Sequence, residues 1–180
     1  MDNAAILGAE ILLIIPGNSL HDQDIEEARS LNMQSIEIIC QYSRDYDFQL
    51  GLEPANPFVT DLVNTAADAM EIIQKLNREN LGIVLDTGHM NLVNELPQDS
   101  IDILGDRLLQ IHINDNDGKQ QQNLVPGEGI FRFNDFLQSL MESGFEGNIS
   151  AELGWHYTPS PEQPAKLTAQ YLRNWIRNWA

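Results

Sequence analysis

The sequence predicts an α/β domain in which a parallel sheet is covered by helices. Five aliphatic runs recur at intervals of roughly 25 to 40 residues, with amphipathic helical patterns between them, which is the rhythm of repeated βα units. The clearest runs, Ile11-Leu-Leu-Ile-Ile15 and Leu81-Gly-Ile-Val-Leu85, are continuous rather than alternating, as strands buried on both faces are. Four of the five runs end in an acid or an imidazole: Glu53, Asp86, His112 and Glu152.

Taken in order, Ala4 to Glu10 reads as the last turns of a helix stopped by Gly8, and the first strand, Ile11 to Ile15, stops at Pro16-Gly17. Ser19 or Asp22 can cap a helix from about Asp24 to about Tyr46, whose stripe is Ile25, Ala28, Leu31, Ile36, Ile39 and Cys40. Phe48 to Glu53 is a short strand, and Pro54 and Pro57 delay the next helix. Thr60 or Asp61 is expected to start that helix, with Leu62, Val63, Ala66, Met70, Ile73 and Leu76 inward, and Asn80 and Gly82 to close it. Leu81 to Leu85 is the third strand. A loop with Pro97 and a short helix, about Ser100 to Leu104, lead to the strand Leu108 to Ile113. Lys119 to Gly129 is a long polar loop, a kind of segment that is often functional. Asn134 is expected to cap a helix through about Ser143. Asn148 to Leu153 is the last strand, and a final helix carries Leu167, Tyr171, Leu172 and Trp175. No low-complexity linker interrupts the chain, so residues 1–180 read as a single domain.

The 27 acidic and 10 basic residues give a net charge of −17, which argues against nucleic acid and against an anionic membrane surface. No apolar run reaches the length of a membrane span, and Met1-Asp-Asn3 lacks a basic leader, so a cytoplasmic location is expected. The single cysteine, Cys40, sits on a helical stripe and reads as a small core hydrophobe.

Parallel strands that end side by side bring their tips to one face. Glu53, Asp86, His112 and Glu152 would then form an oxygen-rich site for Mn2+ or Mg2+, with Co2+ or Zn2+ accommodated through the imidazole. Taken singly, each acid could be a helix cap and each histidine a hydrogen-bonded structural residue, as His21 and His156 are expected to be. A metal there polarises a hydroxyl or carbonyl, so that two flanking carboxylates, Glu53 and Glu152, can remove and return a proton. Hydrolysis is the competing use of the same ligands.

Leu52-Glu-Pro-Ala-Asn56, Asp61-Leu-Val-Asn-Thr-Ala-Ala67, Leu85-Asp-Thr-Gly-His-Met-Asn91, Gln110-Ile-His112, Pro126-Gly-Glu-Gly129 and Ala151-Glu152 resemble the xylose isomerase-like TIM-barrel superfamily. The nearest branch is the sugar phosphate isomerase/epimerase family with its ketose 3-epimerases. The resemblance implies metal ligands at Glu53, Asp86, His112 and Glu152 and catalytic glutamates at Glu53 and Glu152. It implies substrate contacts at His89, Asn56 and Lys119, and a sugar or keto-polyol substrate turned over through an enediolate. Two positions differ from the 3-epimerase pattern: Val59 stands where a sugar-binding glutamate would, and Gly118 where an arginine would. Ile15 and Asn123 occupy the places of zinc-binding histidines in related AP endonucleases, which argues against DNA repair. An inosose-type dehydratase and a non-catalytic remnant are the alternative readings. The expected fold is a partial (β/α) TIM barrel corresponding to strands four to eight, without the first three βα units. A second copy of the chain is the candidate cover for the open edge.

Overall fold

A computed structural model describes residues 1–179, with side chains described as far as residue 177. The elements run α1 (Asp2–Ile6), β1 (Ile11–Ile14), α2 (Ile25–Tyr42), β2 (Gln49–Leu52), α3 (Ala66–Leu76), β3 (Leu81–Asp86), α4 (Thr87–Leu92), α5 (Pro97–Leu104), β4 (Leu108–Ile113), α6 (Phe133–Glu142), β5 (Asn148–Ala151) and α7 (Glu162–Trp179). The five strands pair in sequence order and all in parallel, as a curled arc with helices between successive strands. This is the partial barrel that the sequence predicts. Among the described residues no helix is long and apolar enough to cross a membrane.

Burial is graded across the arc. All six residues of β3 are buried, whereas no residue of β1 or β5 is. The core lies on the helical side of the central strands. There Leu50, Leu52, Ile83 and Leu85 meet Ile36 and Cys40 of α2, Ala69 and Ile73 of α3, Ile101 of α5, and Phe136 and Leu137 of α6. Each large aliphatic side chain withdrawn completely from water contributes about 1.5–3 kcal/mol. On β1, Leu12 and Ile14 pack against this core, whereas Leu13, on the other face of the strand, and Ile15 are exposed.

Local signals misplace several helix ends, because tertiary partners claim the capping groups. Ser19 and Asp61, both read as caps, bond to each other instead, with the Ser19 N–H donating to Asp61 Oδ1 at 2.9 Å. That bond ties the loop after β1 to the loop after β2. Asp24 caps α2, accepting from the Glu26 and Glu27 N–H groups at 3.0 Å. Helix α3 begins at Ala66, behind a Thr65–Asp68 capping box, so Leu62 and Val63 are buried in the preceding turn rather than on the helix. Asn77, in the left-handed region at φ 45°, ends it, and Gly82 belongs to β3. Pro97 opens α5 three residues before Ser100, its fixed φ suiting the first helical position. Arg132, not Asn134, stands at the start of α6. The short helix α4 has no apolar stripe to announce it; Asp86 creates it by accepting the His89 N–H at 2.8 Å.

Replacing Thr65 with Ala removes the Oγ1 that accepts the Asp68 N–H and should cost about 1 kcal/mol, read as a lowered midpoint in urea denaturation.

Candidate metal and substrate site

Strand register builds the site. Asp86 ends β3, and its Cα partner on β4 is His112. Glu53 follows β2 and extends the ladder through its N–H to Ile14 O at 2.9 Å; Glu152 follows β5 and does the same to Ile113 O at 3.2 Å. Parallel pairing of β2 through β5 therefore places four functional side chains on one end of the arc. One ligand atom from each of Glu53, Asp86, His112 and Glu152 lies within 4.8 Å of the others.

The contacts within this group show how its charge is balanced. His112 Nδ1 is 2.8 Å from Glu53 Oε1 and 3.0 Å from Glu152 Oε2, so a single N–H faces two carboxylates. Those hydrogen bonds, Glu152 first and then Glu53, push the His112 pKa up to about 10. The same bond from His112 holds Glu152 below its ordinary range. Asp86 is pushed up to about 8, chiefly by burial and then by the negative charge of Glu53. Burial lowers the pKa of His89, keeping its ring neutral.

This donor set fits a divalent ion. Around an octahedral ion with oxygen ligands at about 2.1 Å, adjacent ligand atoms stand about 3 Å apart and opposite ones about 4.2 Å, so the observed spread needs only slight closing. Three carboxylates with one imidazole suit a hard or borderline cation. The raised pKa of Asp86, set by burial first and by the charge of Glu53 second, marks an uncompensated buried anion that a +2 charge would relieve.

Surrounding residues hold the ligands in place. Asn114 Nδ2 donates to Asp86 Oδ2 at 2.6 Å, while Asp86 Oδ1 takes the His89 N–H, so both oxygens of that carboxylate are oriented. Asn114 is itself locked by Thr87, which exchanges hydrogen bonds with its backbone at 2.6 and 2.9 Å. The glycine of Asp86-Thr-Gly-His89 is required by this approach, because a Cβ on Gly88 would collide with Asn114 Oδ1. Asp115 organises the long loop. It is fully buried, and its carboxylate accepts the Gly127, Gly129 and Phe131 N–H groups at 3.0, 2.9 and 3.0 Å.

Of the seven residues the sequence nominates, the structure gathers Glu53, Asp86, His112 and Glu152, with His89 beside them. Asn56 is fully buried, with its amide bonded to His89 Nδ1 at 2.7 Å and to Gln121 Oε1 at 3.1 Å. It reaches the site through His89 rather than as an exposed contact. Lys119 is exposed, and its backbone N–H bonds to Asp117; the loop residue that reaches the Asn56–His89 pair is Gln121. His156 lines an open groove of about 710 Å³ together with Glu152, Trp155, Gln121, Gln122 and Asn123, whereas His21 is exposed beside Asp22. Asn114, Asp115 and Gln121 escape a reading by strand tips because their partners are distant in sequence. The only sequence trace of Asp115 is the Pro126-Gly-Glu-Gly129 turn, whose amides need an acceptor.

Residues 1–178 match the family described as xylose isomerase-like TIM barrel. The chain belongs to that family. It is 26% identical to fructoselysine 3-epimerase of Escherichia coli O157:H7 over 140 residues, which is 78% of this chain and 51% of that protein. It is 30% identical to ketose 3-epimerase of Arthrobacter globiformis over 142 residues, 79% of this chain and 46% of that one. A crystal structure of a D-tagatose 3-epimerase-like protein superposes with a TM-score of 0.84 at 26% identity, covering 99% of this chain and 68% of the other. The chain thus spans about half the length of the curated relatives it matches.

Two predictions follow from the charge balance and the loop anchor. Asp86 and His112 both bind a proton more tightly in the folded chain than in the unfolded one, whose values are near 3.8 and 6.5. The stability each contributes is complete below the unfolded value and is lost as pH climbs toward about 8 and about 10 respectively. In thermal melts, the metal-free midpoint should fall steadily from about pH 6 to about pH 10. Added Mn2+ should raise it most at the alkaline end, by about 2.7 kcal/mol of stability at a hundredfold excess over Kd. Asp115→Ala strips four backbone amides, those of Asn116, Gly127, Gly129 and Phe131, of their acceptor and should make the segment 117–131 the first site of limited proteolysis.

Proposed function

We propose that this chain carries the metal-binding and proton-transfer half of a divalent-metal-dependent sugar isomerase/epimerase. The observation that carries the reading is the gathering of one ligand atom from each of Glu53, Asp86, His112 and Glu152 within 4.8 Å, from four consecutive strand ends. Its family, and the sugar epimerases among its relatives, support the same chemistry. Mn2+ or Mg2+ is the favoured ion for a donor set of three carboxylates and one imidazole. When bound, it would polarise the substrate's carbonyl and hydroxyl oxygens and so acidify the C–H beside the carbonyl.

The two glutamates divide the proton work by their exposure. The Glu152 side chain is 48% exposed and that of Glu53 is 3% exposed, so Glu152 is the carboxylate that an incoming ketose meets first. Its lowered pKa keeps it ionised and ready to accept a proton. Glu152 takes the proton from the carbon next to the carbonyl, the C–H pair becomes the C=C bond of an enediolate while the carbonyl π pair moves onto oxygen, and Glu53, entering the step with a proton, delivers it to the opposite face. The pair returns to carbon, and the product differs in configuration there. His89 orients a substrate oxygen, and the rings and amides of Trp155, His156, Gln121 and Gln122 line the approach.

In D2O, with Mn2+ and a panel of ketoses, deuterium should enter the carbon next to the carbonyl of at least one substrate. Glu152→Gln keeps a metal-binding oxygen but cannot accept the proton. It should lower exchange and turnover at least about a hundredfold. Undiminished turnover in that variant refutes the assignment of Glu152.

A further inference from the structure

The hydrogen bonds of the Asn56 side chain fix a single orientation of its amide. Its Oδ1 accepts the Phe58 backbone N–H at 2.9 Å. Its Nδ2 lies 2.7 Å from His89 Nδ1 and 3.1 Å from Gln121 Oε1. A backbone N–H can only donate, so Phe58 decides which end of the Asn56 amide is oxygen. The other end is an NH2 with two hydrogens and two partners. It therefore meets His89 Nδ1 as a donor, and that nitrogen must supply a lone pair. A neutral imidazole with a bare Nδ1 carries its hydrogen on Nε2. An imidazolium is excluded by the same geometry, because two N–H groups would then face each other at 2.7 Å.

We propose that Asn56 is a positioning residue that holds His89 as the Nε2–H tautomer, so that His89 meets its ligand as a hydrogen-bond donor. The ligand group it recognises is an oxygen acceptor, a carbonyl or the lone pair of a hydroxyl, and not an ammonium or other N–H donor. Only the naming of that acceptor as a substrate oxygen rests on the proposed function above. The same chain of bonds reaches the long loop. Gln121 offers its Oε1 to Asn56, which turns its own NH2 away from Asn56 as a further donor. One backbone amide, at Phe58, thereby sets the polarity of three side chains, Asn56, His89 and Gln121, from the turn after β2, from α4 and from the loop after β4. The arrangement pairs with Val59 and Gly118, neither of which offers a side-chain hydrogen bond to a substrate.

The test is the ring nitrogen spectrum of the four histidines in the metal-free chain, labelled with 15N, at neutral pH. Long-range 1H–15N correlations distinguish a bare from a protonated Nδ1, and loss of a signal set in His89→Gln assigns His89. A bare Nδ1 with Nε2–H is the expected result; a protonated Nδ1, or an even mixture of tautomers, overturns the proposal. Asn56→Asp presents only acceptors and should move the hydrogen to Nδ1, and an unchanged Nε2–H form in that variant removes Asn56 from control. The wild-type spectrum decides the tautomer even if Asn56→Asp does not fold. Gln121→Ala, on the exposed loop, should leave the tautomer as it is; a hydrogen that moves there assigns control to the loop and overturns the role of Asn56. A chain that turns over no ketose yet shows His89 as Nε2–H loses the proposed function and keeps this assignment.

Discussion

Two carboxylates from strands that are not neighbours meet on one imidazole nitrogen, and the site depends on that convergence. Glu53 and Glu152 both approach His112 Nδ1, from β2 and β5, across the intervening β3 and β4. Repulsion between carboxylates held this close would drive the arrangement apart without a cation among them. In the metal-free chain the imidazole serves as that cation, which is why its proton is held so far above the ordinary histidine range. A divalent ion would take over the role with greater charge. The cluster is therefore a place where binding and folding share one electrostatic problem.

The sheet makes the convergence available. Parallel pairing in sequence order puts every strand's C-terminal end on the same side, and curvature of the arc turns those ends toward one another. The helical side of the sheet supplies rigidity through a core centred on β3. Precision at the ligands comes from a different set of contacts. Asn114 and the α4 amide hold the two oxygens of Asp86, and Asp115 fastens the loop that delivers Gln121 to Asn56 and His89. Aliphatic packing thus positions the strands, and buried amides and carboxylates then orient the side chains at their ends.

The four-residue cluster was legible in the sequence because each member follows or ends an apolar run, and a run is a local pattern. The five βα repeats were legible for the same reason. Helix starts were less so. Ser19 and Asp61 have the chemistry of caps, but each found the other across 42 residues of chain, and no local rule could favour that pairing over a helix terminus. Thr65, which does cap, stands beside Thr60, which instead donates to Gly17 O at 2.6 Å. Lys119 drew notice as the basic residue next to Gly118, whereas the contact of Gln121 with Asn56 has no local signal.

By itself the sequence determined the layered α/β architecture, the side of the sheet that carries chemistry and the residue types available there. Apolar periodicity and the position of polar residues at the ends of runs are properties of neighbouring residues. Tertiary structure alone decided that two glutamates share one nitrogen, that Asp115 gathers four backbone amides, and that the Asn56 amide meets His89. Each of these rests on contacts between groups distant in the chain, set by register and by the donor or acceptor character of whatever the fold places opposite.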